Sequence, residues 1–511
     1  MTETTATEPP PSGPQPSPQP EAPAGGAVPR ALALDALRGF AIMGMVISGR
    51  VPYGEGKALP GWMYHAQNPP PTGALDTSIP GFTWVDLVFP AFLFSMGVAM
   101  PFAAARRIAK GASPWLLGAK AFWRMVSLSF FGIYFAHIVP WTMDGFLPWE
   151  AEEGTHTGTW LLGLLGFLLL FPVYLRFPPS WSMQLQVGIR TAGVAVAALY
   201  LYLIYGGDFS LYRSNIILMV LANMAFFGMV IWLLTRGSWL LRLGSLAVLF
   251  GMREAVKVDD SWVKLLVQDP TNWLPFDAGS LGWFYQFDWL KYLFLVVPGT
   301  MVGEMLMRWM KSPGAENSEA WTPWRLHLIA FGLLALVVFV HTGLYVRWEW
   351  LTPYLTIAVL TAMVPLFSQA RTPAEALLRS LFLWGFFWLT IGLLFEPTEG
   401  GGIKKSPSNN AYYFVSLGLS ILCLVILTVW IDIFRKSRWF TIIIHNGQNP
   451  MVAYTGINNL MEPIMAITWL NALAAEYLRT PWLLGGWALV KTAVLAVMVS
   501  ILTRFKLIWR T

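Results

Sequence analysis

Apolar runs of about 20 residues recur along the chain with short polar breaks between them, and a helix of that length crosses the ~30 Å hydrocarbon core of a bilayer. The pattern predicts spanning helices at 32–51, 84–105, 121–139, 159–175, 188–205, 214–234, 239–256, 289–309, 326–346, 353–370, 379–395, 411–434, 440–460 and 482–503. None alternates apolar with polar positions, which excludes a transmembrane barrel. The expected fold is all-α, a polytopic transmembrane helix bundle of about 14 spans, with a range of 12–14. The run at 239–256 is interrupted by Arg242, Arg253 and Glu254, and the apolar stretch 461–478 reads as an interfacial or re-entrant helix.

Composition agrees with the pattern. Only 12% of the 511 residues are charged and 56% are hydrophobic, against roughly 25% charged in a soluble domain. A net charge of +6 raises nucleic acid as a partner, but Lys and Arg also collect in the cytoplasmic loops of any inner-membrane protein. The loop after the second span carries Arg106, Arg107, Lys110, Lys120 and Arg124, whereas the next carries Asp144, Glu150, Glu152 and Glu153. The first is therefore expected inside and the second outside. Alternation then places Arg308 with Lys311, Arg371, Arg435 with Lys436 and Arg438, and Arg504 with Lys506 inside as well. Both termini are expected in the cytoplasm. Residues 1–29 form a Pro-rich cytoplasmic tail too polar to pack, and 30–511 the membrane domain. One cysteine, Cys423, excludes an intramolecular disulfide.

Two outward loops, 50–83 and 396–410, are too elaborate for simple connections. The first presents His65 within Trp62-Met63-Tyr64-His65-Ala66-Gln67-Asn68-Pro69-Pro70-Pro71 and leads into Thr83-Trp84-Val85-Asp86-Leu87-Val88-Phe89-Pro90. An imidazole takes a proton near neutral pH, and a carboxylate fixes its tautomer. Most loop histidines are nonetheless structural. In the first span Asp35 and Arg38 are three apart on one helical face. They form either a structural ion pair or a pair whose guanidinium also meets an anionic ligand.

His137, His156 and His341 join His65 on the outward side, without metal-ligand spacing, and no metal is expected. Glu304 lies inside a span, where an acid is a functional candidate. The chain has no phosphate loop, dinucleotide fingerprint or nucleophile elbow.

The run Leu34-Asp35-Ala36-Leu37-Arg38-Gly39, the loop His65-Ala66 and Gly81-Phe82-Thr83-Trp84-Val85-Asp86-Leu87-Val88-Phe89-Pro90 together resemble the heparan-α-glucosaminide N-acetyltransferase family of transmembrane acyltransferases. The likeness is greatest to a bacterial branch of unassigned function. Gly400-Gly401-Gly402-Ile403-Lys404-Lys405 and the Asn446–Tyr454 segment extend it in patches to the C-terminus. The family's core has fewer helices, and the excess lies in hairpins near 159–205 and 326–370.

The resemblance implies that His65 is the active-site histidine, with Asp86 beside it. It also implies that Asp35, Arg38, Lys404, Lys405 and Asn449 bind substrate or cofactor. The implied protein is a multi-pass acyltransferase of the bacterial inner membrane, taking an acyl group from acetyl-CoA to an extracytoplasmic sugar or glycan. Its partners are then membrane lipid and a small-molecule or glycan acceptor, not nucleic acid, and a homodimer stays open. Two departures from the family fall where the acceptor should bind and leave its identity open. His65 and Gly81 are further apart than in enzymes acting on heparan fragments, and Gly49, beside Arg50, replaces an Asn. A transporter or flippase coupled through Glu304 is the alternative, and an inactive scaffold a third reading.

Overall fold

The computed structural model describes residues 31–147, 156–267, 280–312, 320–398 and 400–510. The expected tail at 1–29 and the acids Glu150, Glu152 and Glu153 lie outside the described residues. The elements that frame the site are α1 (Leu32–Ser48), α2 (Trp84–Ile108), α3 (Pro114–Ile138), α4 (Ile216–Leu234), α5 (Leu293–Lys311), α6 (Pro323–Val346), α7 (Pro373–Phe395), α8 (Asn410–Leu427), α9 (Thr441–Gln448), α10 (Pro450–Gly456) and α11 (Pro481–Arg504). Among the described residues there are two isolated β-bridges and no strand.

Ten described helices are long and apolar enough to cross a membrane, which marks a multi-pass membrane protein. The other four predicted spans differ for separate reasons. The first helix has 17 residues, and Leu351–Phe367 is likewise short. Trp239–Val256 is helical but carries three charges. The run 440–460 is broken at Asn449, whose backbone leaves the helical region (φ −126°, ψ 55°) ahead of Pro450. Proline has no N–H and disfavours a helical residue before it. Residues 461–478 form two short helices separated by Trp469 in the left-handed conformation.

Several helices start earlier than hydropathy places them. Ser113-Pro114, Thr322-Pro323, Thr372-Pro373 and Thr480-Pro481 each supply a hydroxyl cap followed by proline at the first helical position. The hydroxyl satisfies a free N–H while proline lacks one, so the pair starts a helix at little cost.

Close helix crossings rest on glycine. A Cβ on Gly447 would meet the Asp35 carbonyl oxygen at 1.8 Å, and one on Gly39 the Ile443 oxygen at 2.0 Å, so α1 and α9 touch backbone to backbone. α2 and α5 meet in the same way, with Gly97 against Val296 and Gly303 against Val98. This is the small-residue packing of membrane helices. The two run in the same direction, so Arg106 and Arg107 of α2 lie at the same end as Arg308 and Lys311 of α5. The loop carrying His65 lies at the opposite end, beside the start of α2.

Candidate functional site

The site begins with a helix cap. Thr83 and Asp86 form a capping box at the start of α2. Asp86 Oδ2 accepts the Thr83 N–H at 3.0 Å and the Ala66 N–H at 3.2 Å. Its other oxygen is left for His65, with Oδ1 2.7 Å from Nδ1. Asp86 is buried, while the His65 side chain is 29% exposed. A carboxylate only accepts, so the imidazole proton sits on Nδ1 and Nε2 carries the lone pair. Lys405 Nζ lies against the ring, 2.9 Å from Nε2 and 3.0 Å from Nδ1.

Lys405 is brought there by a clasp between the two outward loops. Gln67 Oε1 accepts from the backbone N–H of Lys405 at 3.0 Å and of Ser406 at 2.7 Å, and its Nε2 donates to the Ser406 carbonyl at 2.7 Å. Gly81, at φ 150°, donates its N–H to the Ile403 carbonyl at 2.8 Å. Tyr64 is buried beneath the loop, where its hydroxyl accepts from Leu59 N and donates to Pro52 O. Burial pushes the pKa of Lys405 below its ordinary value, and the nearby Asp86 charge opposes that shift.

The remaining predicted residues occupy other places. Lys404 donates its backbone N–H to Asn409 Oδ1 at 3.2 Å and its charge faces Asp76. Asp35 is buried, with Oδ1 3.5 Å from Arg38 Nη1 and Oδ2 accepting from Gln448 Nε2 at 3.2 Å. Arg38 also donates to the carbonyls of Gly447 and Ser95, at 3.3 and 3.2 Å. Asn449 joins neither His65 nor Lys405. Its Nδ2 donates to Leu507 O at 2.9 Å and its Oδ1 accepts from Trp509 N at 3.1 Å, which ties down the segment carrying Arg510. Glu304 accepts three N–H groups, from Trp232 and Arg242 at 2.8 Å and Trp239 at 2.9 Å.

Two cavities flank this arrangement. One, of about 390 Å³, is lined by Arg38, Arg107, Arg124 and Arg510 and reaches Met45 and Phe92. Among the described residues no carboxylate lines it. Phe92 is six residues from Asp86, about 9 Å of helix rise. The other, of about 790 Å³, is apolar and runs from Thr83 and His341 to Leu334 and Leu427. Arg107 and Arg124 served in the sequence only to orient the helices, His341 was one outward histidine among several, and Arg510 carried no signal.

No curated protein matches the chain. A family described as a domain of unknown function, DUF5009, matches residues 30–306, a span that contains His65, Asp86 and three of the four arginines but not Lys405. That match covers more than half of the 511 residues, so the chain belongs to the DUF5009 family.

Proposed function

We propose that the protein is a membrane acyltransferase that moves an acyl group, acetyl in the simplest case, from acyl-CoA to an amine or hydroxyl of a sugar or glycan acceptor across the bacterial inner membrane. The observation that carries this function is the cluster Asp86, His65 and Lys405, in which a carboxylate orients an imidazole and a cation lies against its ring nitrogens. Its likeness in sequence to heparan-α-glucosaminide N-acetyltransferases points the same way.

In the reaction His65 Nε2 removes the acceptor proton as the acceptor N or O bonds to the thioester carbonyl carbon. Asp86 holds the imidazolium that forms. The Lys405 ammonium leaves Nε2 and stabilises the oxyanion, as fixed charges do in acyl transfer. The C–S bond then breaks, and the thiolate takes the proton back from Nε2 to leave as free CoA thiol. Arg38, Arg107, Arg124 and Arg510 fit the phosphates of the donor, since guanidinium groups match phosphate geometry. By the distribution of basic residues they face the cytoplasm, with both termini, and His65 faces outward.

The test uses purified protein in vesicles with acetyl-CoA labelled in the acetyl group. Transfer of label to an acceptor, lost in well-folded His65→Ala, is expected. A parent protein that consumes no acyl-CoA but carries a sugar or lipid-linked substrate across the vesicle membrane overturns the reading in favour of a transporter or flippase. A cysteine placed at Asn68 reacts from outside with an impermeant reagent, and labelling only after permeabilisation overturns the orientation.

A further inference from the structure

The larger cavity has the depth of one bilayer leaflet. On α6 its lining runs from Leu334 to Val346, 12 residues or about 18 Å at 1.5 Å per residue. Half of the ~30 Å hydrocarbon core is about 15 Å. Phe40, Leu334, Val338 and Val346 line the cavity and are each about half exposed, so it is open along α1 and α6 and not sealed within the bundle. Most of its polar groups gather at the His65 end, and Ser420, deeper along α8, donates its hydroxyl to the Ser416 carbonyl. Thr83 lines it there, and the N–H of Thr83 is bonded to Asp86. His341 is a second. Its Nδ1 lies 2.7 Å from the Val337 carbonyl, which fixes the proton on that nitrogen. Its buried Nε2 has no hydrogen-bond partner among the described residues.

We propose that this cavity holds one hydrocarbon chain of a membrane lipid from the leaflet on the His65 side, and that the amine- or hydroxyl-bearing head of that lipid is the acyl acceptor. The fate of the head rests on the acyltransferase reading, whereas binding of the chain does not. An acceptor that is sugar alone does not suit the lining, because its hydroxyls would lose water without gaining partners. A docked protein helix of the same length, about 10 Å across, needs roughly twice the volume. The donor's own acyl chain is disfavoured by position, since the arginines that hold the donor lie at the other end. His341 Nε2 then accepts a hydrogen bond from the lipid head and holds it beside Thr83, close to the Asp86–His65 pair.

The probe is phosphatidylethanolamine carrying a diazirine in one acyl chain, mixed into vesicles around the full-length protein and photolysed. Cross-links are expected to concentrate on residues 84–91 and 334–346 over the lipid-exposed helix Met183–Tyr205. The double variant Val338→Trp with Thr342→Trp places both bulky groups at exposed positions, where folding is not threatened. It should lower cavity labelling about tenfold by filling the site, with labelling of 183–205 unchanged. Equal labelling of both surfaces, or no change in the double variant, overturns the proposal. A second readout follows labelled acetyl groups into the lipid fraction. His341→Phe should keep the cross-links and raise the KM for the lipid acceptor, and an unchanged KM overturns the role of His341. If soluble amino sugars are acetylated equally fast by the parent and the double variant, the acceptor assignment is wrong. Cavity cross-links without acyl transfer to any acceptor leave the lipid site standing and overturn the acyltransferase reading instead.

Discussion

Glu304 and Asp86, two of the acids that lie close to charged partners in this bundle, are arranged to opposite ends. Glu304 is committed on both oxygens. Two indoles and the fully buried Arg242 direct three N–H groups at them, although the side chain stays 22% exposed beside Arg308. Asp86 is half committed, since one oxygen secures the start of α2 and the other orients an imidazole that stays partly exposed. An acid inside a membrane protein is therefore not a functional site by its presence alone. What separates the two is whether a neighbouring group keeps a lone pair or proton that a substrate reaches.

The contrast breaks most sharply at Asp86→Asn. An amide there keeps an oxygen for the Thr83 and Ala66 N–H groups, so the fold should persist. Its NH2 group faces His65 Nδ1 and forces the proton onto Nε2, the wrong tautomer for a base. Loss of rate on the order of 10⁴ is expected, as for the equivalent change in a catalytic triad. His65→Ala removes the base itself and should cost no less, about 10⁴ in rate, with unfolding unchanged.

Glu304→Ala should do the reverse. It leaves the Arg242 charge buried without its carboxylate, which costs about 3–5 kcal/mol of stability. The thermal midpoint in detergent should fall steeply while transfer per folded molecule holds. A stable Glu304→Ala that has lost activity would erase the distinction between the two acids.

Lys405→Met should lower kcat by about 10²–10³, the range for removing one group that stabilises an oxyanion. The pH profile sharpens the point. The pKa of Lys405 is lowered from 10.5 by burial, and in the proposed mechanism the active form is the cation. The alkaline limb of kcat should therefore fall below pH 10.5, and Lys405→Arg should move it upward because a guanidinium stays charged. The smallest effects belong to Arg107→Gln and Arg510→Gln. Each should raise the KM for acyl-CoA roughly three- to fivefold at constant kcat, as loss of one exposed charge pair does.

Much of the helical layout was legible in hydropathy, because a span must bury its backbone polar groups in its own hydrogen bonds. Helix starts were less so. The hydroxyl-proline caps at Ser113, Thr322, Thr372 and Thr480 are local signals that an apolar window averages away. At the site, His65 and Asp86 stood out because they are 21 residues apart within one motif. The meeting of Lys405 with His65 spans 340 residues and depends on Gln67, whose amide pairs with backbone and so leaves no pattern of its own. Arg107, Arg124 and Arg510 were masked by a stronger explanation, since basic residues at helix ends are expected on topological grounds alone. His341 is silent in sequence because its significance lies in an unfilled lone pair.

The Gln67 clasp also sets an order in time. A chain leaving the ribosome inserts the helix that carries Asp86 early, and more than three hundred residues beyond Asp86 must follow before Lys405 and Ser406 reach the loop that waits for them. Until then His65 has its carboxylate but no cation, and the lipid-facing cavity lacks the walls supplied by α6 and α8. On the acyltransferase reading the reactive centre would thus be a late product of membrane insertion, and a chain stalled partway would hold a histidine that is oriented but without its cation.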